Sequence, residues 1–212
     1  MRRHHGFATL FLCAAVALAT TGTARAQSHA EEIAALFESS YLQEQAGTIE
    51  QAIADVTAIL RLDPANYVAN YRLGWLCYCK GTFADSIVYY TRAMTLAPGA
   101  IEAQLGLLLP LMAAQKWDDA ETLGRKLAAR APDNYLAGSR LAYVYYMEGK
   151  YKLAEQQYQA TLKNYPSELE MMLGLGWTYL KQGRSAEARD MFKKVLAVHR
   201  KNANALAGLK GL

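Results

Sequence analysis

The sequence predicts an all-α fold, an α-solenoid of five 34-residue helix-turn-helix repeats followed by a short C-terminal helix. Three observations carry this. Pro64, Pro98, Pro132 and Pro166 recur at one constant interval. Gly47, Gly81, Gly149 and Gly183 fall on the same lattice, with Gln115 in the remaining slot. No stretch of strand length alternates apolar and polar residues. A fixed period of this length marks a repeat architecture, in which each unit is one supersecondary element.

The elements follow in order. Residues 33–66 form the first repeat: Gly47 ends its first helix, where a left-handed turn favours a residue without Cβ, and Asp63-Pro64 stops its second. Residues 67–100 repeat the plan with Gly81 and Pro98. Residues 101–134 carry Gln115 at the glycine slot and close on Ala131-Pro132-Asp133-Asn134. Residues 135–168 use Gly149 and Tyr165-Pro166-Ser167, and residues 169–202 use Gly183, with Arg200 in place of the proline. Residues 203–212 begin a sixth unit and stop. The register needs no insertion anywhere.

Residues 1–26 are expected to be a cleavable export signal. Arg2 and Arg3 make a positive start, Gly6 to Ala19 is an uncharged apolar run, and Ala24-Arg25-Ala26 is a small-residue cleavage site. The run is too short for an ordinary membrane span. Cys13 follows Leu10-Phe11-Leu12 inside the apolar run, which speaks against a lipid-anchoring site. The expected location is the periplasm, with membrane contact only through a partner. The chain is 52% hydrophobic, enough for a real core. Its net charge of +4 owes much to the signal, because Arg2, Arg3 and Arg25 lie there and 20 basic residues then face 19 acidic ones. A near-neutral chain has no electrostatic footprint for nucleic acid.

The repeats resemble the tetratricopeptide-repeat family, whose motif reads W-x2-L-G-x2-Y, then A-x3-F, then A and P. Repeat two has Leu73-Gly74-x2-Cys77, Ser86-x3-Tyr90, Ala93 and Pro98. Repeat four has Leu141-Ala142-x2-Tyr145, Ala154-x3-Tyr158 and Pro166, and repeat five has Leu175-Gly176-x2-Tyr179 and Ala188-x3-Phe192. The motif's tryptophan is absent: Leu36, Asn70, Gln104, Gly138 and Met172 stand there. The resemblance implies a right-handed superhelix whose repeats bury their apolar faces by stacking, with a concave groove that binds protein segments. Small residues such as Gly74, Ala142 and Gly176 let the helices of a repeat approach, and Tyr90, Tyr158 and Phe192 fill the space between.

On the first helix of each repeat, positions 4, 7, 8 and 11 cover one arc and positions 2, 5, 9 and 12 another, roughly 130° round. In the family the second arc lines the groove. Position 9 reads Tyr41, Trp75, Leu109, Tyr143 and Trp177; position 5 begins Phe37 and Tyr71; position 12 includes Tyr78, Met112 and Tyr146. These ten residues are the candidate partner-binding groove. Stiff aromatics with a polar tip are preferred anchors at interfaces. The alternative for position 5, where Leu105 and Leu173 also fall, is packing against neighbouring helices. Glu102, Glu170 and Lys181 are the charges on this arc, with Arg72 and Asn70 read as lying beside it, so a clamp for a chain-terminal carboxylate is not supported. Glu187, Asp190, Lys193 and Lys194 read as a solvated outer face.

Repeat three departs from the pattern. Pro110 stands inside its first helix and is expected to bend it. Leu108 takes the small-residue slot and Gly124 the aromatic slot, which reads as an exchange of sizes across one contact; a hinge or a widened groove is the functional alternative. Cys77 and Cys79 lie two apart on one helix, with side chains about 200° apart. They read as unpaired thiols; soft-metal capture lacks a visible third ligand, and Cys79 could bridge to a partner. His29 and His199 stand at opposite ends of the array, and no catalytic motif is present. The sequence therefore predicts a non-catalytic adaptor of the cell envelope, without metal or cofactor. Two rivals remain: glycan binding by aromatic stacking, and self-association through the apolar end at residues 203–212, with Leu206, Leu209 and Leu212.

Overall fold

The computed structural model describes residues 27–212, so the expected export signal lies outside the described residues. These residues form a run of α-helices without a strand. They are α1 (27–45), α2 (Ile49–Leu62), α3 (Tyr67–Lys80), α4 (Phe83–Leu96), α5 (Ile101–Ala113), α6 (Trp117–Arg130), α7 (Tyr135–Met147), α8 (Tyr151–Asn164), α9 (Leu169–Lys181), α10 (Ser185–Val198) and α11 (Ala203–Lys210). From α2 onward, the start of each helix recurs two helices later at the same interval as the prolines. Helix α1 is described from Gln27, ahead of the predicted first repeat at Ile33. No helix among the described residues is long and apolar enough to cross a membrane.

Local chemistry sets the boundaries. Gly47, Gly81, Gly149 and Gly183 take φ of +77°, +87°, +74° and +77°, and Gln115 takes +55° in the same slot. A side chain there is strained, because the left-handed region brings Cβ toward the following carbonyl. Every second repeat opens on an asparagine cap: the side chains of Asn66, Asn134 and Asn202 accept from the N–H groups of Ala69, Ala137 and Ala205. Pro110 removes the N–H that would bond the Gly106 carbonyl, yet α5 runs unbroken from Ile101 to Ala113. Its apolar surface faces protein nearly all round, with Leu105, Leu107, Leu108 and Leu111 buried, so packing holds a helix that propensity alone would break.

The helices form two layers. Odd-numbered helices from α3 to α11 touch one another in succession, whereas even-numbered ones touch only their sequence neighbours. The odd layer is therefore the closer-packed, inner one, and its outward arc faces the concavity. The layers are pinned by rings lying against glycine. A Cβ on Gly74 would stand 2.7–2.8 Å from three ring atoms of Tyr90, and one on Gly106 would also fall inside 3.0 Å of that ring. Gly174 stands to Tyr158 as Gly106 does to Tyr90, and Gly176 and Gly208 flank Phe192. The face of Gly124 is filled instead by Leu141, whose Cδ1 would lie 3.1 Å from an added Cβ. The size exchange in repeat three thus draws in the following repeat, while Leu108 is fully buried.

The buried phenols make the fold sensitive to alkali. Burial, joined by the negative charge of Glu168, pushes Tyr135 up to about 12, and burial raises Tyr90 and Tyr158 further. A phenol with a raised native pKa stabilises the fold fully below its unfolded value near 10, and that stability is lost as pH rises through the native value. Unfolding is expected between about pH 10 and 12, with the last part of the phenolate absorbance, that of the buried rings, appearing together with loss of helix. Phenolate absorbance that develops fully near pH 10 with the helix intact would contradict this.

Candidate functional site

The ten candidate groove residues separate into three groups. Tyr41, Trp75 and Tyr143 stay 51%, 38% and 43% exposed, large fractions for aromatic rings. Tyr71, Tyr78, Leu109, Met112, Tyr146 and Trp177 are half-buried. Phe37 packs against the core formed by Ala52, Val56 and Ile59. Leu105 and Leu173, which share its position, are 7% and 9% exposed, so this position serves mainly as contact between neighbouring helices. Trp177 leans edge-on against Phe192, with ring centres 5.4 Å apart, and is anchored from below.

The structure gathers the rest into two clusters. At the C-terminal end, Leu109, Met112 and Tyr143 line a cavity of about 480 Å³. Tyr143, Tyr146 and Trp177 line an adjoining one of about 430 Å³, and Asn204 of α11 borders both. Trp117 supports Tyr143 edge-on at 6.3 Å, and Tyr151 supports Tyr146 at 5.8 Å. At the N-terminal end, Trp75 stacks obliquely on Tyr78 at 5.9 Å and donates its indole N–H to Glu44 Oε1 at 2.7 Å. Between the clusters, Tyr71 meets Tyr90 edge-on at 5.6 Å and Tyr67 at 6.2 Å, and Tyr67 donates to Glu102 at 2.8 Å. The inner arc is thus a row of rings held in fixed orientations, which lowers the entropy lost when a partner docks.

One expectation needs correction. Sequence reading sets Arg72 beside the groove arc, but its guanidinium lies under the groove, 3.5 Å from the centre of the Tyr41 ring. The side chain is 5% exposed; Nε donates to Ser40 Oγ at 2.7 Å, and Nη2 lies 3.0 Å from Glu44 Oε2, an ion pair without hydrogen-bond alignment. Position 6 of the repeat therefore belongs to the site. Sequence reading also passed over Arg140, the same position two repeats on, which lines the larger cavity. The signal was available: position 6 reads Arg72, Gly106, Arg140 and Gly174 in successive repeats. Glycine falls where the preceding repeat supplies Tyr90 or Tyr158, and arginine where it supplies Val56 or Gly124.

Other features carry less. Cys77 is buried and Cys79 exposed, both unpaired, and burial raises both thiols above their usual value, which disfavours the reactive thiolate. Among the described residues no group of three or more His, Cys, Asp or Glu is arranged to hold a metal. Glu187, Asp190, Lys193 and Lys194 are exposed, and Asp190 and Lys194 pair at 2.8 Å along one helix face. At the C-terminal end Leu209 and Leu212 pack onto the last core cluster, leaving Leu206 as the exposed leucine.

Comparison with known proteins agrees with this architecture. The tetratricopeptide-repeat family is matched over residues 37–101 and again over 135–201, together more than half of the chain. The chain is 31% identical to DnaJ homolog subfamily C member 3 of Rattus norvegicus over 131 residues, 48% of this chain and 26% of that protein. It is 25% identical to Superkiller complex protein 3 of Homo sapiens over 210 residues, 93% of this chain and 11% of that protein. It thus spans about a quarter or less of these curated relatives. Among solved structures, a MamA protein matches at TM-score 0.72 and 22% identity, covering 82% of this chain and 95% of that one. A tetratricopeptide-repeat protein from Parabacteroides merdae matches at 0.77 and 19%, covering 84% and 71%. YrrB, described as a TPR protein with an unusual peptide-binding site, matches at 0.69 and 18%, covering 82% and 90%. These structural likenesses establish the fold, and with the repeated match along the sequence they show that the chain belongs to the tetratricopeptide-repeat family.

Proposed function

We propose that this protein is a non-catalytic adaptor that holds a segment of another protein of the bacterial cell envelope in its concave aromatic groove. The family is one of protein-interaction scaffolds, and YrrB, which shares the fold, is described as binding peptide. The observation that carries the reading is the exposure of Tyr41, Trp75 and Tyr143 on the inner layer. Packing alone gives no reason to leave three large rings facing solvent on the concave side, whereas an interface uses such residues as anchors. The envelope location rests on the signal-like residues 1–26.

The test is a crosslinked pull-down from envelope extract, with residues 27–212 as bait beside a Trp75→Ala, Tyr143→Ala double variant. Circular dichroism must show that both baits are equally folded. A specific envelope protein is expected with the intact groove, and recovery is expected to fall about tenfold or more in the variant, since anchor truncations cost about 2 kcal/mol or more. Equal recovery by both baits would remove the groove from the function. Recovery of polysaccharide instead of protein would favour the glycan reading.

A further inference from the structure

Arg72 and Arg140 occupy the same position in repeats two and four, and their surroundings differ in one respect. Arg72 is held by three residues of the preceding repeat, one of which supplies its counter-charge: Ser40 at position 8, Tyr41 at position 9 and Glu44 at position 12. For Arg140 the same three positions hold Leu108, Leu109 and Met112. Every polar partner has become apolar. The polar contact left to Arg140 among the described residues is a hydrogen bond from Nη1 to the Leu105 carbonyl. Glu170 lines the same cavity but forms no ion pair with it, and none of the described carboxylates does. The phenols of Tyr71, Tyr78 and Tyr90 are its other polar neighbours, and burial lowers its pKa from the ordinary value. A guanidinium keeps its charge even so.

A half-buried cation with no counter-charge is a cost to the fold unless something else supplies the charge. We propose that Arg140 reads a side-chain carboxylate, Asp or Glu, on the protein segment that crosses Leu109, Met112 and Tyr143, the acid standing where Glu44 stands for Arg72. This deepens the groove reading above and rests on it. The occupant's acid is internal to its chain. A chain terminus would end at the cation, whereas Leu109 and Met112 on one side and Tyr143 on the other leave an open path across it. The groove also continues past Arg140 in both directions, toward Tyr71 and toward Trp177.

The experiment uses a phage-displayed library of random dodecapeptides, panned on residues 27–212 as wild type, Arg140→Gln and Met112→Glu. The last variant installs the missing internal acid and is expected to occupy Arg140 itself. Wild type is expected to enrich peptides with one Asp or Glu among apolar residues. Synthetic versions should bind both variants about tenfold or more weakly, the loss of one charged hydrogen-bonded pair. Changing the peptide's acid to its amide should cost as much in wild type and nothing further in Arg140→Gln. Enriched peptides without an acid, or an acid-to-amide cost that persists in Arg140→Gln, would overturn the assignment and leave the groove reading standing. Enrichment that is absent, or unchanged in the Trp75→Ala, Tyr143→Ala variant, would sink the groove reading and this inference with it. A second measurement separates structure from recognition. Arg140→Met should melt at or above the wild-type temperature, and a fall of several degrees would make the guanidinium a packing element and overturn the proposal.

Discussion

Alanine at Gly106 is expected to destabilise the array by about 1–3 kcal/mol, the usual range for overpacking a closed core. The added Cβ would fall inside 3.0 Å of three atoms of the Tyr90 ring, and that ring is 1% exposed and flanked on its other side by Gly74. It has nowhere to move. The gain in helix propensity, about 1 kcal/mol for glycine to alanine, opposes but does not cancel the clash. At about 2–4 °C per kcal/mol for a chain of this size, the melting temperature should fall by several degrees. Gly99→Ala is the control, since nothing lies within 4 Å of its added Cβ. Gly124→Ala should fall between, because Leu141 Cδ1 at 3.1 Å needs to yield by only a few tenths of an ångström. Thermal unfolding followed by circular dichroism gives the order, and equal midpoints for Gly106→Ala and Gly99→Ala would contradict the close ring contact.

The second large effect is expected at Glu44. Its carboxylate pairs with Arg72 at 3.0 Å and accepts from the Trp75 indole at 2.7 Å. Glu44→Ala would leave a 5%-exposed guanidinium without its counter-charge, bonded through Nε to Ser40 and stacked on Tyr41. Breaking a buried pair from one side costs about 3–5 kcal/mol. Glu44 itself is 25% exposed, so water can partly replace it and about 2–3 kcal/mol is the expected loss. Removing both charges in Glu44→Leu, Arg72→Met should recover much of that, because no unpaired charge remains. A cycle of these variants measured by urea unfolding decides the matter; additive losses would mean that the pair is not coupled. The Glu44→Ala protein should also show altered Trp75 fluorescence, since the indole loses its acceptor.

Much of the molecule is written in short-range chemistry. The proline and glycine lattice marks where helices stop, because a backbone N–H is missing or a left-handed residue is needed at those places whatever surrounds them. Family membership follows from the same spacing, and so does the odd slot at Gln115, which adopts φ +55° in place of a glycine. The row of rings at position 9 was legible as well, since helical periodicity puts those residues on one face.

Helical periodicity could not say which apolar faces touch each other. Phe37, Leu105 and Leu173 share an arc with Tyr41 and Trp177, yet Phe37 packs onto a core cluster and the two leucines are buried. The arginines show the same division more sharply. That Arg72 and Arg140 hold one position in the repeat is plain in the sequence. That Ser40, Tyr41 and Glu44 of the preceding repeat enclose one, while Leu108, Leu109 and Met112 stand at the corresponding places for the other, emerges only once the repeats are stacked. Local rules decide where each helix begins and ends. The stacking of repeats sets positions 8, 9 and 12 of one repeat against position 6 of the next, and the residues that stand there decide which charge finds a partner within the chain and which faces the groove without one.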